Sequence, residues 1–104
     1  MGGDGISAIR LRIVGKFLHD RRVKAGLTQW DVAKSLGWTT AQFVSNFERG
    51  VALPPLETLP KLSELFGVSG KEFIAVMSRY QEAVLELHKR ELKAKFKGVR
   101  YRNL

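Results

Sequence analysis

Hydrophobic residues recur at steps of three and four along most of the chain, which is the spacing of one face of an α-helix. The first such stretch puts Ile9, Ile13 (or Val14), Phe17 and Leu18 on one stripe. Gly26 follows, a residue that adopts the left-handed helix-ending conformation at little cost. No segment alternates hydrophobic and polar residues as a half-buried strand does. The pattern therefore predicts an all-α fold.

Two short helices are predicted next, separated by Gly37. Thr28, followed by Asp31 three residues later, indicates the start of the first of them, in a weaker relative of the capping box. Thr39 is the predicted cap of the second, with Gln42 at the box position. The predicted inward-facing residues are Val32, Ala33 and Leu36 in the first helix and Val44 and Phe47 in the second.

A fourth helix is predicted after Pro54 and Pro55, which mark a loop and a first helical turn. Gly67 is expected to end this helix. Its inner stripe consists of Leu56, Leu59, Leu62 and Leu65.

The fifth predicted helix is unusually long. Ser69 and Glu72 form a full capping-box signature, and neither proline nor glycine interrupts the sequence before Gly98. The pattern predicts a helix to about Lys97, roughly 28 residues against the usual 10–14. The alternative is a helix that ends near Ser78, with the remainder packed as a separate element.

Two apolar stripes run along this last helix. One has the four-three steps of a heptad seam, and the other lies on an adjacent face. A solitary protruding helix could not cover both, so the pattern predicts a partner chain, a homodimer first, or a return onto the bundle. The predicted dimerisation seam is Phe73, Met77, Tyr80, Val84 and Leu87, and the second stripe is Leu85, His88, Leu92 and Phe96.

The charge of the chain favours a polyanionic partner. Formal net charge is +8 and the sequence pI is about 10.2, which indicates nucleic acid first and an anionic membrane surface second, with plain solubility as the alternative. Seven of the 18 Lys and Arg residues lie within 89–104, beside one acidic residue. This segment is either a basic arm that contacts nucleic acid, RNA included, or a solvated tail.

Several function classes find no support in the sequence. Without cysteine there is no disulfide and no thiolate metal site, and a reducing cytoplasm fits this composition. His19 and His88 are far apart, with no acidic cluster at ligand spacing. No nucleophile–base pair or glycine-rich phosphate loop is present. No apolar run approaches the roughly 18–20 residues of a membrane span. We expect a non-enzymatic cytoplasmic protein without a metal or cofactor.

The two short helices have the pattern of a helix-turn-helix, in which small Ala33 permits a close crossing and Gly37 a sharp turn. The stretch from about Val14 to Met77 resembles the phage-repressor-like (Cro- and XRE-type) family of small regulators and antitoxins. The resemblance implies a five-helix bundle whose third helix, at about 40–49, reads DNA. The matching residues are Arg22, Gly26, Leu27, Thr28, Gln29, Ala33, Leu36, Gly37, Ser45, Glu48, Arg49, Gly50, Pro54 and Leu59.

The resemblance also implies roles for individual residues. Counting back from Glu48 puts Ala41, Gln42 and Asn46 on base-reading positions, and the two amides, four apart on one face, can pair with adenine edges. Gln42 could equally cap the helix at Thr39, and Asn46 could simply be solvated. Gln29 resembles the phosphate-binding glutamine of the family. Further DNA contacts are expected from Lys34, Thr39, Thr40, Ser45 and Arg49, while Arg22 and Glu48 resemble the internal ion pair of the family.

Three features depart from the family pattern. Glu48 follows Gly37 by eleven positions, one more than is usual, so we expect a longer turn. The loop over 51–53 is apolar where many relatives carry residues that touch phosphate, so contacts with the DNA backbone must come from elsewhere. Phe43, at the start of the recognition helix, either meets thymine methyl groups or packs on Trp38.

The expected organisation has four parts. A flexible glycine-rich leader over 1–8 precedes the helix-turn-helix domain over 9–78, a dimerising extension over 79–97 and a basic tail over 98–104. The expected function is sequence-specific binding of double-stranded DNA by a dimeric regulator, a repressor. The alternative is a protein-interaction module, such as a toxin-neutralising antitoxin, that acts through the last helix.

Overall fold

The computed structural model describes the backbone of residues 2–99 and the side chains of residues 11–99. The described chain forms five α-helices and one 3₁₀ turn and contains no strand, which confirms the predicted all-α fold with an extended last helix. Met1 and residues 100–104, including most of the expected basic tail, lie outside the described residues. The elements are α1 Gly2–Lys24, α2 Gln29–Ser35, α3 Gln42–Glu48, the 3₁₀ turn Leu56–Thr58, α4 Leu59–Phe66 and α5 Gly70–Phe96.

Helix α1 starts earlier than the sequence pattern suggested. The expected leader over 1–8 is helical from Gly2 onward. Glycine lowers helix propensity, but it does not remove a hydrogen-bond donor as proline does. Nothing in 2–8 therefore blocks continuation of the helix that the stripe from Ile9 onward defines.

Two helix starts follow the capping signatures. Thr28 Oγ1 accepts a hydrogen bond from the Asp31 backbone N–H at 2.9 Å, and the Thr28 N–H donates to the Asp31 carboxylate at 2.8 Å. These bonds with Thr28 hold the pKa of the Asp31 carboxyl below its ordinary value. Ser69 and Glu72 form the same reciprocal pair at the start of α5. Both predicted caps are confirmed.

The predicted cap of α3 is wrong. The helix starts at Gln42 with Ala41 at its N-cap position, and no side chain caps it there. Thr40 Oγ1 accepts from the Gln42 N–H at 3.2 Å instead. The connection over 36–41 has six residues, and the longer turn leaves Thr39 too far ahead of the first helical N–H groups to cap them.

The predicted fourth helix is divided. Residues Leu56–Thr58 form a 3₁₀ turn, and α4 begins at Leu59 with Pro60 in its first turn. An α-helix that started at Pro55 would need the nitrogen of Pro60 to donate to Leu56, and proline has no N–H. Leu56 consequently leaves the inner stripe and is 70% exposed.

The core forms around α1, which packs against both α3 and α5, with α2 and α4 closing it. Phe17 of α1 meets Phe73 of α5 edge-on, with ring centroids 5.3 Å apart. Such pairs add to the stability gained by burying the rings. The buried cluster comprises Val14, Leu18, Val32, Ala33, Val44, Phe47, Leu62, Val68 and Phe73.

A glycine within α1 determines how closely α1 approaches α3. An ideal Cβ on Gly15 would lie 2.5 Å from the carbonyl oxygen of Glu48 and 2.7 Å from that of Phe47. On the other side of this contact Gly50 has φ of +76°, and a Cβ there would lie 3.2 Å from the Arg12 nitrogen. The backbone of α1 therefore supports the last turn of α3 directly, without intervening side chains.

Helix α5 continues well past the bundle, so the alternative of an end near Ser78 is wrong. Phe73 is buried inside the monomer, and Met77 and Tyr80 pack against the core. This corrects the expectation that Phe73 faces a partner chain. Val84 and Leu87 are half-buried, and Leu87 is the only residue of 85–99 that is not exposed.

Candidate nucleic-acid interface

The two faces of α3 differ completely in character. Val44 and Phe47 on the inner face are buried in the core. Gln42, Asn46 and Arg49 follow one another at steps of four and three, which places them on a single outer face. We call these three residues the polar triad. Gln42 and Arg49 are exposed and Asn46 is half-buried.

Hydrogen bonds connect the polar triad internally. Asn46 Oδ1 accepts from Gln42 Nε2 at 2.9 Å and from Arg49 Nη2 at 2.6 Å. The Gln42 amide therefore does not return to Thr39 as a cap, and the capping alternative is excluded. Because both donors meet the oxygen of Asn46, its amide nitrogen is left to donate outward.

A second cluster connects α3 to the two helices before it. Glu48 receives Arg22 Nε at 2.6 Å and Arg22 Nη2 at 3.1 Å, one bond at each carboxylate oxygen. The Gln29 amide donates to Glu48 at 3.0 Å, and His19 Nδ1 lies at the same distance. The side chains of Glu48 and Arg22 are 5% and 11% exposed. The predicted ion pair is confirmed, and it lies at the junction of α1, α2 and α3.

This cluster keeps Glu48 ionised. Burial raises the pKa of the Glu48 carboxyl, but the hydrogen bonds from Arg22, Gln29 and His19, with the charge of Arg22, outweigh that effect and hold the pKa below its ordinary value. Arg22 also donates to the carbonyl of Leu27 at 2.7 Å. The guanidinium thus fixes the loop between α1 and α2 together with the end of α3.

Gln29 has a different environment from the one its family resemblance implied. The side chain is half-buried, and its amide is engaged with Glu48 rather than directed outward. The sequence offered one clue: Gln29 follows the Thr28 cap directly, so it lies in the first turn of α2. That position alone could not show whether the amide turned toward solvent or toward α3.

The longer turn is braced by aromatic side chains. Trp38 meets Phe43 and Phe47 edge-on, with ring centroids at 5.4 and 5.9 Å. Phe43 therefore packs on Trp38, one of the two expected alternatives, and still remains 52% exposed. Both Thr39 and Thr40 are exposed in the turn.

The remaining candidate residues surround this face. Lys34 of α2 is exposed, and its Nζ lies 5.6 Å from the ring centre of Trp30. Ala41 and Ser45 are half-buried along one side of α3. The helix-turn-helix thus presents a mainly polar, hydrogen-bonding outer surface on a helix whose inner face is fixed.

Among the described side chains, those of residues 11–99, no three from His, Asp or Glu come together as a possible metal site. None of the helices described there has an apolar stretch long enough to cross a membrane.

Comparison with known proteins places this geometry in a family. A family model described as helix-turn-helix matches residues 18–73, more than half of the chain, from the last two turns of α1 to the start of α5. No curated protein and no solved structure matches the chain. The matched segment contains the Arg22–Glu48 pair, both short helices and the polar triad. The chain belongs to the phage-repressor-like (XRE-type) helix-turn-helix family, a family of DNA-binding transcription regulators rather than enzymes.

Proposed function

We propose that this protein is a cytoplasmic, nucleoid-associated, sequence-specific repressor that binds double-stranded DNA as a homodimer, with α3 in the major groove. The observation that carries the proposal is the polar triad, displayed on a helix that α1 and the Glu48 cluster hold in place. A rigid helix with hydrogen-bonding groups on its outer face is what recognition of base edges requires.

Base reading is assigned to Gln42 and Asn46. The Asn46 amide nitrogen can donate to an acceptor such as N7 of a purine without disturbing the triad. Reading adenine with both amide atoms requires Gln42 or Arg49 to leave the Asn46 oxygen, and the released donor is then free for a neighbouring base or phosphate. We assign Gln29 to positioning α3 through Glu48. Further contacts with bases or backbone are proposed for Lys34, Thr39, Thr40, Ala41, Ser45 and Arg49.

The proposed homodimer forms through the outer face of α5. Ile74, Leu85 and Leu92 are 67%, 54% and 54% exposed and share this face at steps of eleven and seven. Ile74 also lines a groove of about 680 Å³ between the 3₁₀ turn, α4 and α5, with Leu56 and Met77 among its walls. A second copy related by a two-fold axis would cover this surface. Two copies of α3 that enter successive turns of the major groove must lie about 34 Å apart, so we expect the dimer to favour half-sites one turn of DNA apart.

We assign DNA binding, dimerisation and additional phosphate contact to successive parts of the chain. Residues 9–78 form the proposed DNA-binding domain, and 79–97 form the dimerising extension. The tail over 98–104 is proposed to add affinity through phosphates without adding sequence preference.

The test begins with selection of bound sequences from a random duplex library, followed by the Asn46→Ala variant on the selected site. We expect a loss of about 1–3 kcal/mol on that site and relaxed preference at one base position per half-site. Affinity for random duplex should barely change. If the variant binds the selected site as tightly as the parent with the same preferences, the assignment of Asn46 is wrong.

A second candidate function rests on the same groove. An apolar surface of this kind also fits a helix of another protein, as in an antitoxin that neutralises a toxin through its last helix. The mass in solution separates the two. A dimer of twice 11.7 kDa supports self-association, whereas a monomer at micromolar concentration favours a different partner protein.

A further inference from the structure

A concave basic surface lies beside the recognition helix, formed largely by α1. Its volume is about 620 Å³. Arg12 and Lys16 stand one helical turn apart on α1, Arg49 faces them from the end of α3, and all three are exposed. We call this surface the α1 cradle. Its walls are Arg12, Lys16, His19, Asp20, Glu48, Arg49 and Val51.

The backbone contact between α1 and α3 brings these cations together. Gly15 lies between Arg12 and Lys16 in sequence and lets α1 touch the carbonyl groups of the last turn of α3. Gly50 approaches the Arg12 backbone from the other side. The two cations on α1 are thus held beside Arg49 by close contacts of the α1 backbone, and these contacts do not use their charged groups.

The acidic groups in the α1 cradle are already paired. Glu48 is occupied by Arg22, Gln29 and His19. Asp20 pairs with Lys16 at 3.0 Å, an exposed i,i+4 bridge with side chains 54% and 78% accessible. Such bridges are worth little and exchange readily for a better anion.

Within the described residues, no carboxylate lies at ion-pair distance from Arg12 or Arg49. The α1 cradle therefore presents two cations without an acidic partner and a third, Lys16, that is only weakly held.

We infer that the α1 cradle binds phosphate of the DNA backbone next to the bases that α3 reads, an inference that rests on the proposed DNA binding. Arg49 belongs to both surfaces, since it donates to Asn46 and also lines the cradle. The two surfaces therefore form one continuous edge.

The loop after α3 shows why α1 takes this role. Residues 51–53 are Val, Ala and Leu, and Val51 is exposed at the rim of the cradle. This loop has no cation to offer a phosphate. Arg12 and Lys16 supply the missing positive charge from the adjacent helix.

The experiment compares two charge-matched double variants in the full chain. Arg12→Gln with Lys16→Gln removes the two cations that α1 contributes to the cradle and leaves Arg49 in place, and Lys61→Gln with Lys71→Gln removes two exposed cations outside the cradle. Binding to the selected duplex and to a scrambled duplex is measured by fluorescence anisotropy from 50 to 300 mM KCl.

We expect the cradle variant to bind both duplexes about ten-fold or more weakly than the parent. The slope of log affinity against log salt should fall by about 1 for each phosphate that the variant no longer neutralises. Its base preference should stay that of the parent, and the control pair should retain nearly the parent slope. A charge-conserving swap, Arg12→Lys with Lys16→Arg, should also retain that slope, which separates charge from any effect on folding.

An equal slope for the cradle variant and the control pair would overturn the inference while leaving DNA binding intact. A parent protein that binds no duplex at all would overturn the proposed function and this inference together. The parent measurement therefore separates the two failures.

Discussion

The junction of α1, α2 and α3 around Glu48 and the distal half of α5 differ in how their side chains are placed. At the junction the side chains are fixed by contacts within the monomer, whereas on distal α5 most of them are exposed to solvent. At the junction, Arg22, Gln29 and Glu48 connect three helices through hydrogen bonds in a partly buried site. Along 85–99 every residue except Leu87 is exposed. The surface proposed to read DNA is thus determined within one chain, whereas the distal part of α5 has an apolar face that its own chain leaves in solvent.

This difference has an energetic meaning. Most helical stability in proteins comes from packing of an apolar face rather than from intrinsic propensity. The distal turns of α5 gain little of this packing stability within the monomer, whereas the junction is packed between three helices. A change at the junction should therefore alter stability and the orientation of α3, and a change on distal α5 should alter association.

The largest expected effect is that of Glu48→Gln. This change leaves Arg22 partly buried without its counter-charge, which typically costs about 3 kcal/mol or more in the free energy of unfolding. Urea denaturation measures the loss. The matched control is Glu86→Gln on distal α5, where the bridge to Lys89 is exposed and 3.9 Å long. That change should cost no more than about 0.5 kcal/mol. Similar losses of unfolding free energy in the two variants would show that the junction does not differ from distal α5 in this respect.

The same carboxylate predicts a pH dependence. The folded state holds the pKa of Glu48 below its ordinary value, so its contribution is fully present above the unfolded-state pKa of about 4.3. The contribution is lost as pH falls from there through the lower folded-state pKa. Urea midpoints between pH 6 and pH 3 should decline for the parent and decline less for Glu48→Gln. Parallel curves would show that other carboxyl groups govern the acid response.

Gly15→Ala should come next in size. A methyl group at this position meets two main-chain carbonyl oxygens of α3, and overpacking of this kind costs typically about 1–3 kcal/mol. The control is Gly70→Ala at the start of α5, where a Cβ meets nothing within 4 Å. That change should be neutral or stabilising by up to about 1 kcal/mol. Thermal unfolding of both variants measures the difference, and a Gly15→Ala protein as stable as the parent would show that α1 can move away from α3 at no cost.

The sequence predicted best the features that depend on neighbours in the chain. The caps at Thr28 and Ser69 and the inward-facing residues of α2 and α3 follow from residues a few positions apart, and the structure confirms them. The predicted cap at Thr39 and the place of Leu56 in the inner stripe of the fourth helix were wrong. The Arg22–Glu48 pair came from family resemblance, because its partners lie 26 positions apart. Gly15 gave no usable signal, since a glycine in a helix looks merely unfavourable until the helix it touches is known.

The two stripes of α5 show a further limit. Heptad spacing identified Phe73, Met77 and Tyr80 as a set, but spacing cannot distinguish a face that meets its own chain from one that meets a second chain. Packing of Phe17 against Phe73 decides this point. The adjacent face, with Leu85 and Leu92, becomes the better candidate for dimerisation because the monomer leaves it exposed.

The smallest expected effect on monomer stability belongs to Leu85→Gln combined with Leu92→Gln. Both side chains are already half in solvent, so the intrinsic stability of each chain should change by no more than about 0.5 kcal/mol. Association should respond strongly, since both residues face the proposed partner helix. Light scattering at micromolar concentration should show the parent near twice 11.7 kDa and the variant near the monomer mass.

The control places the same polarity on the other side of the helix. Ala94→Gln changes an exposed, uncharged position that lies about 180° around the helix from Leu85, so the charge of the chain stays the same. This protein should remain a dimer and bind the selected duplex as the parent does. Because two half-sites bound by one dimer reinforce each other, the leucine variant should bind the full site much more weakly but an isolated half-site about as well as the parent. Equal masses for the leucine variant and a dimeric parent would mean that another surface joins the two copies.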